Sequence, residues 1–129
     1  MSQAWIWVDL AVAVAAHNEQ LAEHGGAAGV RDMSMLESAM ARPLNLIAYE
    51  DPDIADLAAS YAFGIARNHP FGDGNKRTAA VVSETFLLLN EHELVCDDVE
   101  LVTTFLALAA GELTAEALAA WFREHVKAV

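Results

Sequence analysis

The segment HPFGDGNKRTAA, residues 69–80, places a histidine, a carboxylate between two glycines and two adjacent cations close together. Histidine side chains titrate near neutrality, so a histidine at position 69 can act as a general base that takes a proton from a hydroxyl group. Asp73 can hold Mg²⁺, because this ion is commonly bound by one or two carboxylates together with substrate phosphates. Lys76 and Arg77 can bind those phosphates. The segment therefore predicts a site for phosphoryl or nucleotidyl transfer, in which positioning and charge neutralisation supply most of the catalysis.

The two cations stand where a helix start ordinarily carries acids. A helix is predicted to begin at about Asn75, so Lys76 and Arg77 fall in its first turn. Cations there oppose the helix dipole, at about 0.3–1 kcal/mol each. Unpaired backbone N–H groups at a helix start attract anions, and Gly72 and Gly74 let the backbone turn tightly beside a ligand. We therefore expect a polyanion at this position.

Each residue of the segment also has a purely structural interpretation. His69 could cap the preceding helix, Asp73 could be an ordinary turn residue, and Asn75 could be an N-cap. Lys76 and Arg77 could pair with surface carboxylates. The segment is not a Walker-type phosphate loop, because the pattern G-x-x-x-x-G-K-[ST] does not occur in the chain.

The remaining aromatic and histidine residues predict packing rather than chemistry. Phe71, inside the segment, is expected to anchor it to the core. Four other histidines show no spacing typical of metal ligands, and we interpret them as surface or interface residues: His17, His24, His92 and His125.

The chain as a whole is strongly acidic. Nineteen Asp and Glu residues stand against seven Lys and Arg residues, which gives a formal net charge of −12. Such a surface repels phosphates, so direct binding of nucleic acid is not expected. It suits a basic protein partner instead. Three of the seven cations lie between positions 67 and 77, which makes this segment the predicted centre of positive potential.

The same composition predicts a cytoplasmic protein that does not contact a membrane. No apolar run approaches the roughly 18 residues that a membrane span requires. The N-terminus, MSQAWIWVDL, lacks the basic region of a secretory signal. Cys96 is the single cysteine, so an internal disulfide is excluded.

Hydrophobic periodicity and helix-end signals predict a compact all-α fold, a single domain over residues 1–129. The residues from Ser34 onward fit a capping box that starts the second helix, which should end before Pro43. Asp51 is expected to cap the third helix. Residues 43–51 have no clean period and are predicted to form a loop or a short flap before that helix. About six helices are expected, near 9–24, 34–42, 51–68, 75–90, 97–111 and from 114 onward.

The segment HPFGDGNKRTA resembles the signature of the Fic/Doc family, and specifically of its Doc (death-on-curing) branch. The flanking segments 31–43, 57–71 and 89–94 are also similar to those of Doc-type toxins, so the resemblance covers most of the chain. It implies a Fic/Doc-like helical bundle that holds the signature between two helices.

The resemblance also implies a role for each matching position. His69 would be the general base, and Asp73 would be the Mg²⁺ ligand. Asn75 and the backbone near Gly74 would form the anion hole. The two cations that follow, Lys76 and Arg77, would bind the phosphates of a nucleotide.

Two departures from the wider family bear on the reaction. Fic enzymes that transfer AMP typically read H-P-F-x-x-G-N-G-R-x-x-R, whereas here Lys76 replaces the second glycine and Ala80 the final arginine. The Doc branch moves the terminal phosphate of ATP onto a threonine of elongation factor Tu and halts translation. The resemblance thus implies a toxin that is a Mg²⁺- and ATP-dependent protein kinase. AMP transfer to a protein hydroxyl, or a non-catalytic binding protein with a retained motif, are the alternatives.

The mode of control can also be inferred. Some Fic proteins carry an inhibitory helix with the pattern [ST]-x-x-x-E-[GN], which does not occur in this chain. Control by a separate antitoxin is therefore expected, and Doc-like toxins usually pair with a small Phd-like antitoxin whose tail folds onto them.

Overall fold

The computed structural model describes residues 4–27 and 29–129, which form six helices and a small two-stranded sheet. The elements in chain order are α1 (Leu10–His24), α2 (Met33–Tyr49), α3 (Ile54–Asn68), α4 (Asn75–Leu89), β1 (His92–Leu94), α5 (Asp98–Ala109), α6 (Ala115–His125) and β2 (Val126–Ala128). The strands are antiparallel, with Glu93 opposite Lys127. The prediction of a compact all-α fold is confirmed, although the sheet was not anticipated. No helix in the described ranges is long and apolar enough to cross a membrane.

The helix α3 forms the centre of the core and packs against α2, α4 and α6. It is rich in alanine, so neighbouring helices approach it closely, and nearly all of its residues between positions 55 and 66 are buried. Tyr61 is buried against Phe86 of α4, with ring centroids 5.2 Å apart. Its hydroxyl accepts the backbone N–H of Val8 at 3.0 Å. Thus α3 and α4 pack closely together, and the loop between them carries the signature.

The predicted end of α2 before Pro43, and the flap over residues 43–51, are wrong. The helix continues through Pro43 to Tyr49. Proline has no N–H, so the carbonyl of Ala39 lacks its usual helical donor. Pro43 is nevertheless buried, and Gly64 of α3 packs directly over Ala39, where an added Cβ would lie 3.1 Å from the Ala39 Cα. Packing against α3 thus keeps the helix intact where local sequence disfavours it.

This close packing predicts that Gly64→Ala will destabilise the fold by about 1–3 kcal/mol, the usual cost of overpacking a core. Helix propensity alone would favour alanine by about 0.5–1 kcal/mol, so the sign of the change distinguishes the two effects. Urea unfolding measures it. Ala120→Gly, at an exposed position of α6, calibrates the propensity term in this protein. An unfolding midpoint above that of the wild type would contradict the close approach of the two helices.

The starts of α2 and α3 differ from prediction by about two residues. Asp32, rather than Ser34, caps α2 and accepts the backbone N–H three residues later at 3.2 Å. Asp53, rather than Asp51, caps α3 and accepts the N–H of Asp56 at 2.9 Å, while the Asp56 carboxylate accepts the N–H of Asp53 at 3.0 Å. This reciprocal capping box satisfies two donors at once, which explains why the later aspartate is used.

The start of α3 is joined to α6 by Arg123. Its Nε lies 2.8 Å from Asp53 Oδ2, and its Nη2 lies 2.9 Å from Asp56 Oδ1. The hydrogen bond from Arg123 lowers the pKa of Asp53 to about 2. A carboxyl group whose pKa is lowered on folding stabilises the native state above its unfolded pKa of about 3.9, and this contribution disappears as pH falls through the folded value.

We therefore expect Arg123→Gln to cost about 0.2–1 kcal/mol near pH 7, because solvent screens a half-exposed group of charges. The difference from the wild type should shrink as pH falls from about 5 towards about 2. Urea unfolding at several pH values measures this trend. A deficit that is independent of pH over this interval would show that Arg123 acts through packing of its stem rather than through its charge.

Candidate active site

The signature loop joins α3 to α4 through two left-handed residues. His69 ends α3 with φ 48° and ψ 55°, a conformation that is uncommon for residues other than glycine. Gly74 precedes α4 with φ 75°. Between these residues the chain reverses and borders a cavity of about 350 Å³. All six predicted site residues line this cavity together with Gly72 and Ala109: His69, Asp73, Gly74, Asn75, Lys76 and Arg77.

The loop is closed on itself by Asn75. The backbone N–H of Phe71 donates to Asn75 Oδ1 at 3.0 Å, and Asn75 Nδ2 donates to the carbonyl of Phe71 at 3.1 Å. Phe71 is 1 % exposed, as expected of an apolar anchor. The side chain of Asn75 is thus engaged within the loop, and its backbone N–H, in the first turn of α4, is the group that could still bind an anion.

A second contact comes from the segment 29–32, which runs beside the loop. The backbone N–H groups of Arg31 and Asp32 donate to the carbonyl of Pro70 at 2.8 and 3.0 Å. The guanidinium of Arg31 donates two hydrogen bonds to the carbonyl of His69, one through Nε at 3.1 Å and one through Nη2. The sequence prediction missed Arg31, although it begins one of the flanking segments that resemble the family. Its contacts fix the backbone of His69 and leave the histidine side chain exposed.

The interpretation of His17 as a surface residue is wrong. It is 1 % exposed, and its ring stacks on Phe71 with centroids 3.9 Å apart and an angle of 7°. Its Nε2 donates to the backbone carbonyl of Asp73 at 2.7 Å. A lone histidine on an alanine-rich helix gives little indication of such a contact. The available signal was its position four residues after Ala13, on the buried face of α1.

Gly26 has an unanticipated role in orienting Asp73. A Cβ at position 26 would lie 2.7 Å from Asp73 Oδ2, so only glycine allows the carboxylate to occupy its place. The other oxygen, Oδ1, accepts the backbone N–H of Gly74 at 2.8 Å. The local sequence around Gly26 gives no indication of this role. Its proximity to Asp73, 47 positions later in the chain, is a property of the fold.

The charges around the cavity fit a bound polyanion. Lys76 and Arg77 are exposed, and neither forms an ion pair with another residue of the described ranges. Gly74 supplies no side-chain cap to α4, so the first-turn N–H groups face the cavity alongside the two cations. These features favour phosphate binding over the alternative of surface ion pairs.

The residues around Asp73 fit a Mg²⁺ ion that takes most of its ligands from a bound nucleotide. No group of three or more His, Cys, Asp or Glu side chains within residues 4–27 and 29–129 could hold a metal ion by itself. Asp73 is an exposed single carboxylate beside the start of α4. Mg²⁺ is commonly held by one or two carboxylates together with substrate phosphates. A metal at this site would therefore depend on a bound nucleotide for its other ligands.

The contact between His17 and Asp73 can be tested by separating its donor from its aromatic ring. His17→Phe retains the ring and removes the donor, which leaves a carbonyl unpaired and should cost about 1–3 kcal/mol in urea unfolding. His17→Gln retains an N–H near the position of Nε2, and the amide NMR shifts of Gly74 and Asn75 should remain close to those of the wild type. His24→Phe, at the exposed end of α1, is the control. Wild-type shifts in His17→Phe would contradict a role in positioning the loop.

Comparison with known proteins agrees with the site. The sequence profile of the Fic/DOC family matches residues 7–87, from the segment before α1 nearly to the end of α4. The chain is 33 % identical over 107 residues to "Protein kinase doc" of Escherichia phage P1, covering 82 % of this chain and 84 % of that protein. It is 43 % identical over 75 residues to "Toxin Doc" of Mycolicibacterium smegmatis, covering 57 % of this chain and 58 % of that protein. The chain belongs to the Fic/Doc family.

Proposed function

We propose that this protein is the toxin of a toxin–antitoxin pair and acts as a Mg²⁺-dependent protein kinase. It transfers the terminal phosphate of ATP to a threonine hydroxyl of elongation factor Tu, which blocks translation in the cytoplasm. The names of the two relatives, a protein kinase and a toxin, support the class of activity. The cavity between α3 and α4 supports the chemistry, because it combines an exposed imidazole with a phosphate-binding helix start.

Each functional residue of the loop has a separate role in the proposed reaction. The imidazole of His69 takes the proton of the incoming hydroxyl. The hydroxyl oxygen forms a bond to the terminal phosphorus, and the bond from that phosphorus to the bridging oxygen breaks, with its electron pair leaving on ADP. The N–H groups of α4, with Lys76 and Arg77, hold the phosphates in line. Asp73 would hold Mg²⁺, which neutralises phosphate charge when it is bound.

Two residues of α4, Lys76 and Ala80, are the observation that favours transfer of phosphate over transfer of AMP. In place of a glycine that leaves room for nucleotide phosphates, the cavity is lined by the side chain of Lys76. In place of an arginine that holds those phosphates, Ala80 packs against the core. The site thus lacks two features associated with AMP transfer, while its base, its carboxylate and its helix start are retained.

Labelled ATP distinguishes the two reactions. The protein is incubated with elongation factor Tu, Mg²⁺ and ATP carrying ³²P on either the terminal or the α phosphate. Label from the terminal phosphate alone supports the kinase, whereas label from the α phosphate would overturn it in favour of AMP transfer. In both arms, heat-denatured protein gives the background.

Growth of the host cell tests the class of function. Expression of the protein alone should arrest growth, and co-expression of a small Phd-like antitoxin, sought in the adjacent reading frame, should relieve the arrest. The net charge of −12 favours an antitoxin whose docking segment is basic or strongly apolar. Harmless expression of folded, soluble protein would favour a non-catalytic binding protein instead.

A further inference from the structure

A second cavity, of about 500 Å³, lies towards the opposite end of α3 from the signature loop. It is enclosed by the end of α2, the first turns of α3 and the start of α6, and we refer to it as the acidic cleft. Asp56 and Ser60 line it. They precede His69 on α3 by thirteen and nine residues, which corresponds to roughly 20 and 14 Å along the helix. The cleft is therefore separate from the active site.

Carboxylates dominate the charge of the acidic cleft. Four of them line it, against the single cation Arg42, whose guanidinium lies over the ring of Phe63 at 4.6 Å. Asp56 is paired with Arg123, but three of the carboxylates form no ion pair within residues 4–27 and 29–129: Glu50, Asp51 and Glu116. The C-terminus of α2, at Tyr49, also presents the negative end of its helix dipole here. The cleft therefore attracts a cation.

Ser60 gives an independent indication that the cleft has a ligand. Its side chain lines the cleft and is 5 % exposed, and its Oγ has no hydrogen-bond partner in the described residues. Buried hydroxyl groups are normally paired. Ser83, buried on α4, shows the usual solution and donates to the carbonyl of Ala79 at 2.9 Å. A ligand with N–H donors that enters the acidic cleft would satisfy the oxygen of Ser60.

The walls of the cleft indicate the shape of that ligand. Leu46, Pro52, Ala115 and Ala119 provide apolar surface beside the carboxylates. A long side chain with methylene groups and a charged end matches this combination, because the stem packs on apolar surface while the head binds acids.

The surface around the cleft indicates that the side chain belongs to a protein. Ile47 and Tyr49 lie on α2 within one turn of the lining residues Leu46 and Glu50, and they are 42 % and 89 % exposed. A small polycation leaves such apolar groups in water, whereas a protein segment covers them. The overall charge of −12 further favours a basic protein.

We propose that the acidic cleft receives a lysine or arginine side chain of a protein partner. Its cationic head binds the unpaired carboxylates beside Asp56 and donates to Ser60 Oγ. Its stem lies along Leu46 and Ala115. This docking site is distinct from the catalytic loop, and its occupant is a basic segment of a protein partner.

The probe is the peptide acetyl-Ala-Leu-Arg-Leu-Ala-amide, titrated into ¹⁵N-labelled full-length protein without nucleotide, so the result does not depend on the proposed kinase activity. We expect saturable NMR shifts centred on Asp56, Ser60 and Glu116. The same peptide with citrulline, a neutral isostere of arginine, should bind at least tenfold more weakly. Equal binding of the two peptides would overturn the proposal, as would tighter binding of spermidine at the same residues.

Variants separate the acidic cleft from the general charge of the surface. Glu50→Gln combined with Glu116→Gln should weaken the arginine peptide about tenfold. Glu19→Gln combined with Glu37→Gln, at exposed positions on α1 and α2, changes the net charge equally and should have no effect. Equal weakening by the two pairs would show only long-range attraction and would refute the site.

Ser60→Ala tests the role of the Ser60 hydroxyl in the acidic cleft by thermal unfolding as well as by peptide binding. It removes an unpaired buried hydroxyl, so it should raise the thermal midpoint of the free protein while weakening the arginine peptide severalfold. A lower midpoint with unchanged peptide binding would show that Ser60 serves the fold and not the ligand.

Discussion

His69→Ala is expected to reduce phosphate transfer to elongation factor Tu by about 10²- to 10⁴-fold, the range typical of a lost general base. The side chain is exposed at the cavity, so its removal leaves the core intact. In the host cell, the same change should abolish growth arrest. Rates of ³²P transfer from ATP labelled on the terminal phosphate provide the measurement.

The left-handed backbone at position 69 calls for a second variant. Alanine tolerates φ 48° less well than asparagine, which is several-fold enriched in this region. His69→Asn therefore removes the base while preserving the turn, and it should be as inactive as His69→Ala but more stable. His24→Ala, at the exposed end of α1, should behave as the wild type. An Asn variant with near-wild-type activity would show that His69 only ends α3.

Asp73→Asn is expected to have the next largest effect, a loss of activity on the order of 10²-fold at low Mg²⁺, equivalent to about 2.7 kcal/mol in the barrier. The amide oxygen of asparagine can still accept the N–H of Gly74, as Oδ1 does at 2.8 Å. The backbone of the loop should therefore be unchanged, and the lost property is the negative charge that we propose holds Mg²⁺.

The dependence on metal distinguishes this role from a structural one. The concentration of Mg²⁺ that gives half-maximal rate should rise in Asp73→Asn, and electron paramagnetic resonance should show weaker binding of Mn²⁺ in the presence of ATP. Asp9→Asn, whose carboxylate makes no capping hydrogen bond, is the control. An unchanged metal dependence with a reduced rate would indicate that Asp73 acts only on loop geometry.

The helices and the location of the site could be predicted from sequence because the signals for both lie within short, continuous segments of the chain. Periodicity shows an amphipathic helix wherever apolar residues recur on one face. The signature segment holds base, carboxylate and cations within nine residues, and cations in the first turn of a helix are locally anomalous. The structure places all of these groups on one cavity.

The errors concern interactions between residues that are distant in sequence. Local rules end α2 before Pro43, but they do not include the packing of Ala39 against Gly64, 25 positions later in the chain. His17 and Gly26 acquire their roles only because α1 and the turn after it lie against Asp73. Arg31 acts through a carbonyl, which carries no side-chain signal in the sequence. Such roles follow from packing, which overrides local preference.

The backbone of the signature loop is held from four directions, by Asn75, Arg31, His17 and the buried ring of Phe71. These contacts come from α1, from the segment before α2 and from α4, so the loop belongs to the cooperative unit of the core and not to its fraying periphery. Opening it locally would break contacts in all of these elements at once. The site and the fold are therefore lost together. We therefore expect a regulator to cover or fill the cavity rather than to unfold the loop, and inhibition of that kind is reversible on dissociation.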